Sequence, residues 1–174
     1  MNKWPLQKDC DGFYGNPRNP SNPALPSANW QSRNLVGAAP PYTMTYDGKP
    51  IRSIRIHILC AASLIRVLTA IWDAADRDPK TIKAWGADIF GGSYVYRQMR
   101  GLTTLSMHAY GCAIDLDPAR NSLHDNTPHF TPDSAVVRAF RAEGWVWGGD
   151  WNGNGSSADE RRCDGMHFQA ARLS

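Results

Sequence analysis

Ser106-Met-His108-Ala-Tyr-Gly111-Cys112-Ala113-Ile-Asp115-Leu-Asp117 and, late in the chain, Cys163-Asp164-Gly-Met-His167-Phe-Gln169 are the stretches around which the other residues must be arranged. The first sets His108 seven residues before Asp115. The second sets Asp164 three residues before His167. Two imidazoles and one carboxylate form a donor set for a borderline metal ion, and a second carboxylate is left to move protons. A catalytic zinc site takes three protein ligands and leaves its fourth position to water, and His108, Asp115 and His167 supply that number. Asp115 to Asp117 end a short strand from Cys112, in which Ala113 and Asp115 share a face. Cys163 to Phe168 reads as the last strand.

Composition narrows the chemistry. The chain has two glutamates, Glu143 and Glu160, and neither lies within four residues of a histidine. The HExxH helix of the familiar zinc peptidases is therefore absent, which turns the search for a carboxylate base to the aspartates. Asp164, beside a proposed ligand, is the candidate. Other readings of the same residues stand beside this one. A histidine taken alone is more often structural than metal-bound. His108, Cys112, Cys163 and His167 would also compose a closed Cys₂His₂ structural zinc, with three residues between the partners in each half.

Working outward, 174 residues make one domain with room for a core. The net charge of +3 is mild. It suits approach to an anionic polymer such as a cell wall, and no basic run or motif argues for nucleic acid. Four cysteines at irregular spacing, with no CxxC, predict free thiols, Cys60 among them as a buried one. The N-terminus has no apolar core of a signal peptide, so the expectation is synthesis in the cytoplasm without an export signal. Ile54 to Ala75, the most apolar stretch, contains His57 and Arg66 and repeats with helical spacing. It predicts a core helix rather than a membrane span.

Residues 1–41 hold seven of the twelve prolines and predict an arm without regular structure. Its aromatic residues suggest that it wraps the domain, residues 42–174. Tyr42 to Tyr46, Asp47-Gly48 and Pro50 predict a hairpin with an edge return strand. A helix is expected from about Ser53, as cap, to Asp76, broken by Asp78-Pro79, with His57 a partly buried or surface imidazole. Ile89 to Tyr96 predicts a strand delivering Arg97, Arg100 or both to a cleft. His124 and His129 lie in a polar loop and read as surface residues. Thr131 to Glu143 predicts a helix capped by Thr131, with Val136 and Phe140 buried. Trp145 to Trp151 (WVWGGDW) reads as a strand into a glycine turn, with Trp147 and Trp151 in the core or walling the cleft. The fold class expected is α+β: a small, mostly antiparallel sheet carrying the ligands, with helices packed on its other face.

Ser106 to Asp115 resembles the SxHxxGxAxD signature of the VanY-like D-alanyl-D-alanine carboxypeptidases and related phage L-alanyl-D-glutamate endopeptidases, a group sharing its fold with the Hedgehog signalling domain. Asp164-Gly-Met-His167 is similar to its second half, [DE]xxH, and Trp145 to Trp151 resembles the stretch before it. The likeness spans about residues 42–170. It implies one Zn²⁺ per chain on His108, Asp115 and His167, with Asp164 as general base and acid. It also implies an arginine on the scissile carbonyl or a substrate carboxylate, Arg97 before Arg100, and a Ser106 that supports the metal loop or touches substrate. The expected substrate is a peptidoglycan stem peptide and the expected protein a monomer. With no export signal, an L-alanyl-D-glutamate endopeptidase of phage type, acting on the wall after release, is favoured over a D-alanyl-D-alanine carboxypeptidase. A non-catalytic zinc-stabilised binding module is the alternative of another class.

Overall fold

A computed structural model describes residues 4–99 and 101–173. The N-terminal segment carries regular structure, contrary to the expected bare arm. A 3-10 turn (Gln7–Asp9) leads into α1 (Cys10–Tyr14), and α2 (Ala28–Asn34) runs directly into β1 (Leu35–Ala38). Ser27 caps α2 by accepting from the Trp30 amide. Trp4, Tyr14 and Trp30 are all buried, and their polar ends are spent on backbone. Trp4 Nε1 donates to Glu143 O, Trp30 Nε1 to Tyr14 O, and the Tyr14 hydroxyl to Ala170 O. Burial of three aromatics offsets the cost of ordering a proline-rich chain.

The hairpin forms as expected, with β2 (Met44–Tyr46) and β3 (Lys49–Ile51) joined by Asp47 at φ 49° and Gly48 at φ 72°. Both turn residues are left-handed, which matches the twist of the flanking strands. β2 is covered on its other side through Thr45, whose amide donates to Asp88 O. Pro50 therefore sits on the outer strand, where its missing N–H costs nothing.

The long helix starts five residues after the expected cap. Ile54 and Ile56 are buried and Arg55 is exposed, a period of two that builds β4 (Ile54–His57) against β1, antiparallel, with Leu35 opposite His57. His57, not Ser53, caps α3 (Ile58–Ala74): its Nδ1 accepts from Leu59 N. Its Nε2 lies 3.1 Å from Tyr14 O, so it carries the proton, and burial lowers the ring's pKa. Leu64, Leu68, Ile71 and Ala75 form the buried stripe. Asp78-Pro79 ends α3 but also begins α4 (Pro79–Trp85), which the sequence reading lacked. Asp78 accepts from Lys80 N and Thr81 N, and Pro79 occupies the first turn.

The remaining strands are shorter than expected. They are β5 (Phe90–Gly92), β6 (Ala113–Leu116), β7 (Val146–Trp147) and β8 (His167–Gln169), forming an antiparallel sheet in the order β5-β6-β8-β7. The last helix, α5 (Ala135–Ala142), is capped by Ser134 rather than Thr131, because Thr131 O instead closes a turn onto Ser134 N. Val136, Val137 and Phe140 are buried. Phe140 stacks on Phe168 at 4.0 Å, fixing α5 to one face of the sheet, while Trp145 Nε1 donates to Ser63 Oγ on α3. Ile114 and Phe168, a cross-strand pair, belong to that core face; the pairs Asp115–His167 and Ala113–Gln169 point the other way. The α+β architecture is the expected one.

All four cysteines are free and buried. Burial, and then the charges of Asp125, Asp164 and Glu160, push the Cys163 thiol up to about 11. Thiols so held are poor nucleophiles. Native protein treated with iodoacetamide at pH 8 should gain no adduct, and unfolded protein four, as read by intact mass. Rapid labelling of the native state would show that one of them opens to solvent.

Candidate metal centre and catalytic cleft

Three local devices bring the donors together. A 3-10 turn (Met107–Tyr110) is capped by Ser106, whose Oγ accepts from His108 N at 3.4 Å. Gly111 ends it at φ 64°, where a Cβ would come within 2.6 Å of Leu35 Cδ2. Glycine is thus required twice, for the left-handed backbone and for the contact with β1. The turn sends His108 inward, 3% exposed. Asp115 on β6 and His167 on β8 are direct cross-strand partners, which sets their Cβ atoms about 5 Å apart on one face.

His108 Nε2 lies 3.1 Å from His167 Nδ1, His167 Nδ1 lies 3.1 Å from Asp115 Oδ1, and His108 Nε2 lies 3.3 Å from Asp115 Oδ1. The far nitrogens identify the tautomers. His108 Nδ1 is 2.6 Å from Ser93 O and His167 Nε2 is 3.1 Å from Gln169 Oε1. Both must donate there, so both inward nitrogens present lone pairs. Three acceptors facing one another repel unless a cation lies between them. Around a tetrahedral ion with bonds of about 2.0–2.2 Å, neighbouring ligand atoms are about 3.3–3.6 Å apart, close to this triangle. The residues therefore fit a three-ligand zinc site, and among the described residues they are the group whose donor atoms lie close enough together to hold a metal ion. The Cys₂His₂ alternative does not form: Cys112 Sγ donates to Met107 O instead.

The field at the site favours positive charge. Burial opposes ionisation of Asp115, but with a proton on the inward nitrogens and no metal between them, His108 and His167 would donate to it and add their charge, which outweighs burial and holds the carboxyl well below the usual range. Burial likewise disfavours a charged His167, yet Asp115, and then the charge of Asp164, raise its pKa. What draws a proton there draws a metal ion.

Residues 100–170 match a family described as D-alanyl-D-alanine carboxypeptidase. The likeness to this family is carried by that segment, which covers less than half of the chain. The matched segment contains the three donors and Asp164, while Arg97 and the N-terminal segment fall outside it. No curated protein and no solved structure matches the chain.

Five of the sequence-predicted residues border one cleft of about 630 Å³. Asp115, His167, Asp164, Ser106 and Arg97 all line it. Asp164 is placed by backbone: its N–H donates to Gly148 O at 2.8 Å and its carbonyl accepts from His167 N at 3.0 Å. Trp147 is buried and donates to Gly165 O, bracing that turn, whereas Trp151 walls the cleft with its ring 5.7 Å from that of His167. Arg97 is exposed, and its carbonyl accepts from Ser106 N. Arg100 lies outside the described residues. His124 and His129 are exposed and line no part of the cleft. The sequence reading missed Ser93 and Gln169, which set the histidine tautomers. Strand alternation from His167 points to Gln169, but a carbonyl such as Ser93 O has no sequence signature.

Proposed function

We propose that the protein is a zinc-dependent endopeptidase that cuts the peptidoglycan stem peptide between L-alanine and D-glutamate, in the manner of a phage endolysin acting on the wall. The triangle of lone pairs at His108, His167 and Asp115 carries the zinc reading. When bound there, zinc supplies Lewis acidity toward a carbonyl oxygen and makes water acidic enough to be a nucleophile near pH 7. Asp164, on the wall of the same cleft, takes the proton of the attacking water and returns it to the leaving amine. Arg97 at the rim holds a substrate carboxylate or the polarised carbonyl. Trp151 and the apolar Met99, Leu102 and Met166 exclude water from the peptide. The cleft falls within the roughly 300–1,000 Å³ of sites that enclose a whole ligand, which suits several residues on both sides of a bond rather than one terminal residue.

The family description favours a second reading, removal of a terminal D-alanine. Mass spectrometry of crosslinked peptidoglycan digested with and without a chelator separates the two. New N-terminal D-glutamate together with L-alanine ends that carry a free carboxylate, abolished by chelation, is the expected result. Chelator-sensitive loss of D-alanine would move the assignment to the carboxypeptidase, and chelator-resistant cleavage would remove zinc from the mechanism.

The raised His167 pKa adds a pH dependence. Below that pKa a proton competes for Nδ1, so apparent zinc affinity should fall about tenfold per pH unit there and level off above it. Competition titrations from pH 5.5 to 8.5 check this, and a flat profile would contradict it.

A further inference from the structure

His167 can offer Nδ1 to a metal only while its proton sits on Nε2, and the group facing Nε2 decides this. That group is Gln169, two residues further along β8 and 1% exposed. An amide can present either its oxygen or its nitrogen, and here the other contacts settle which. Gln169 Nε2 donates to Ala171 O at 2.8 Å, and Gln169 Oε1 accepts from Gln7 Nε2 at 3.3 Å as well as facing His167 at 3.1 Å. Turned over, the amide would set its NH₂ against two donors and its oxygen against a carbonyl. Gln7 is itself held by the C-terminal segment, its N–H donating to Arg172 O at 2.8 Å, and it borders the cleft.

We propose that Gln169 is a positioning residue for His167, held in its accepting orientation by Gln7, and that this pair sets the affinity of the centre for zinc. The proposal rests on the zinc reading above. It makes the N-terminal segment, which lies outside the family match, a working part of the metal site. The chain Gln7–Gln169–His167 acts entirely through tautomer and ring orientation; neither glutamine reaches the reacting atoms.

The test compares wild type with Gln169→Leu, Gln169→Glu and Gln7→Ala by zinc competition against a chromogenic chelator. In parallel, ¹H–¹⁵N spectra of the histidine rings are recorded on the zinc-loaded proteins. Wild type should show a slowly exchanging His167 Nε2–H. Gln169→Leu should bind zinc about 10- to 100-fold more weakly and lose that signal to exchange. Gln169→Glu, which keeps an acceptor, should recover most of the affinity and the signal, and Gln7→Ala should fall between wild type and Gln169→Leu. Wild-type affinity in Gln169→Leu, or a Gln169→Glu as weak as Gln169→Leu, would overturn the proposal. So would a wild-type His167 protonated on Nδ1, a result that stands even if a variant fails to fold. A wild type that holds no zinc at all overturns the zinc reading, and this proposal with it.

Discussion

Asp164→Ala should lower kcat/KM on peptidoglycan by about 10²- to 10⁴-fold, the range for a positioned acid–base group. At 1.36 kcal/mol per decade this is about 2.7–5.4 kcal/mol of transition-state stabilisation. Zinc content and melting temperature should stay near wild type. The reason lies in how residue 164 is held. Its N–H and carbonyl make the bonds to Gly148 and His167, and an alanine keeps both. It also keeps the Cβ, which packs where any Cβ at Gly148 would come within 3.1 Å of it. The fold thus depends on the backbone here and the chemistry on the carboxylate. His167→Ala is the contrasting variant, since it should lose zinc and activity together. An Asp164→Ala protein with undiminished cleavage would remove the aspartate from the mechanism. One that merely goes on binding the wall, with no cleavage by wild type either, would favour the binding module.

What was legible beforehand follows from how local each signal is. The two motifs, the Asp47-Gly48 hairpin and the stripe on α3 each sit within one element, so short-range spacing exposes them. The start of α3 is ambiguous in sequence because Ile54 and Ile56 satisfy a strand period while also continuing an apolar helical run. Pairing with β1 decides between them, and β1 lies in a segment that looked unstructured. Asp78-Pro79 reads as a stop after a long apolar run, yet aspartate followed by proline is equally a helix start. Ser134 displaced Thr131 as cap through a turn across Pro132-Asp133, a choice between two good caps that spacing alone does not make. The site shows the same division. Its ligand side chains were legible, and so in principle was Gln169. The carbonyl of Ser93 and the reach of Gln7 across the chain depend on tertiary approach.

The N-terminal segment gives the second large effect. Tyr14→Ala should destabilise the protein by about 3–5 kcal/mol, the cost of deleting a large buried aromatic side chain. For a chain of this length that is a fall in Tm of roughly 6–20 °C. Tyr14 is 1% exposed. Its ring meets His57 and Phe13 edge-on at 4.8 Å each, and its hydroxyl donates to Ala170 O at 2.5 Å. Burial, and then the neighbouring Cys112 and Cys60, raise the phenol's pKa, so the hydroxyl keeps its proton at any working pH. Truncation leaves a cavity between α1 and the start of α3 and strips a donor from the residue that follows Gln169. Tyr14→Phe separates the two losses: it keeps the ring and should cost about 1–3 kcal/mol for the orphaned carbonyl. Thermal and urea unfolding of both variants measure the difference. If Tyr14→Ala melts within about 2 °C of wild type, corresponding to less than roughly 1 kcal/mol, the segment contributes little to the fold. The link from Gln7 to the metal centre would then lack the rigid support it needs. A large loss, by contrast, means that the residues before β1 hold β8 and its histidine in place, and that the folded unit carrying the candidate metal site begins well before its motifs.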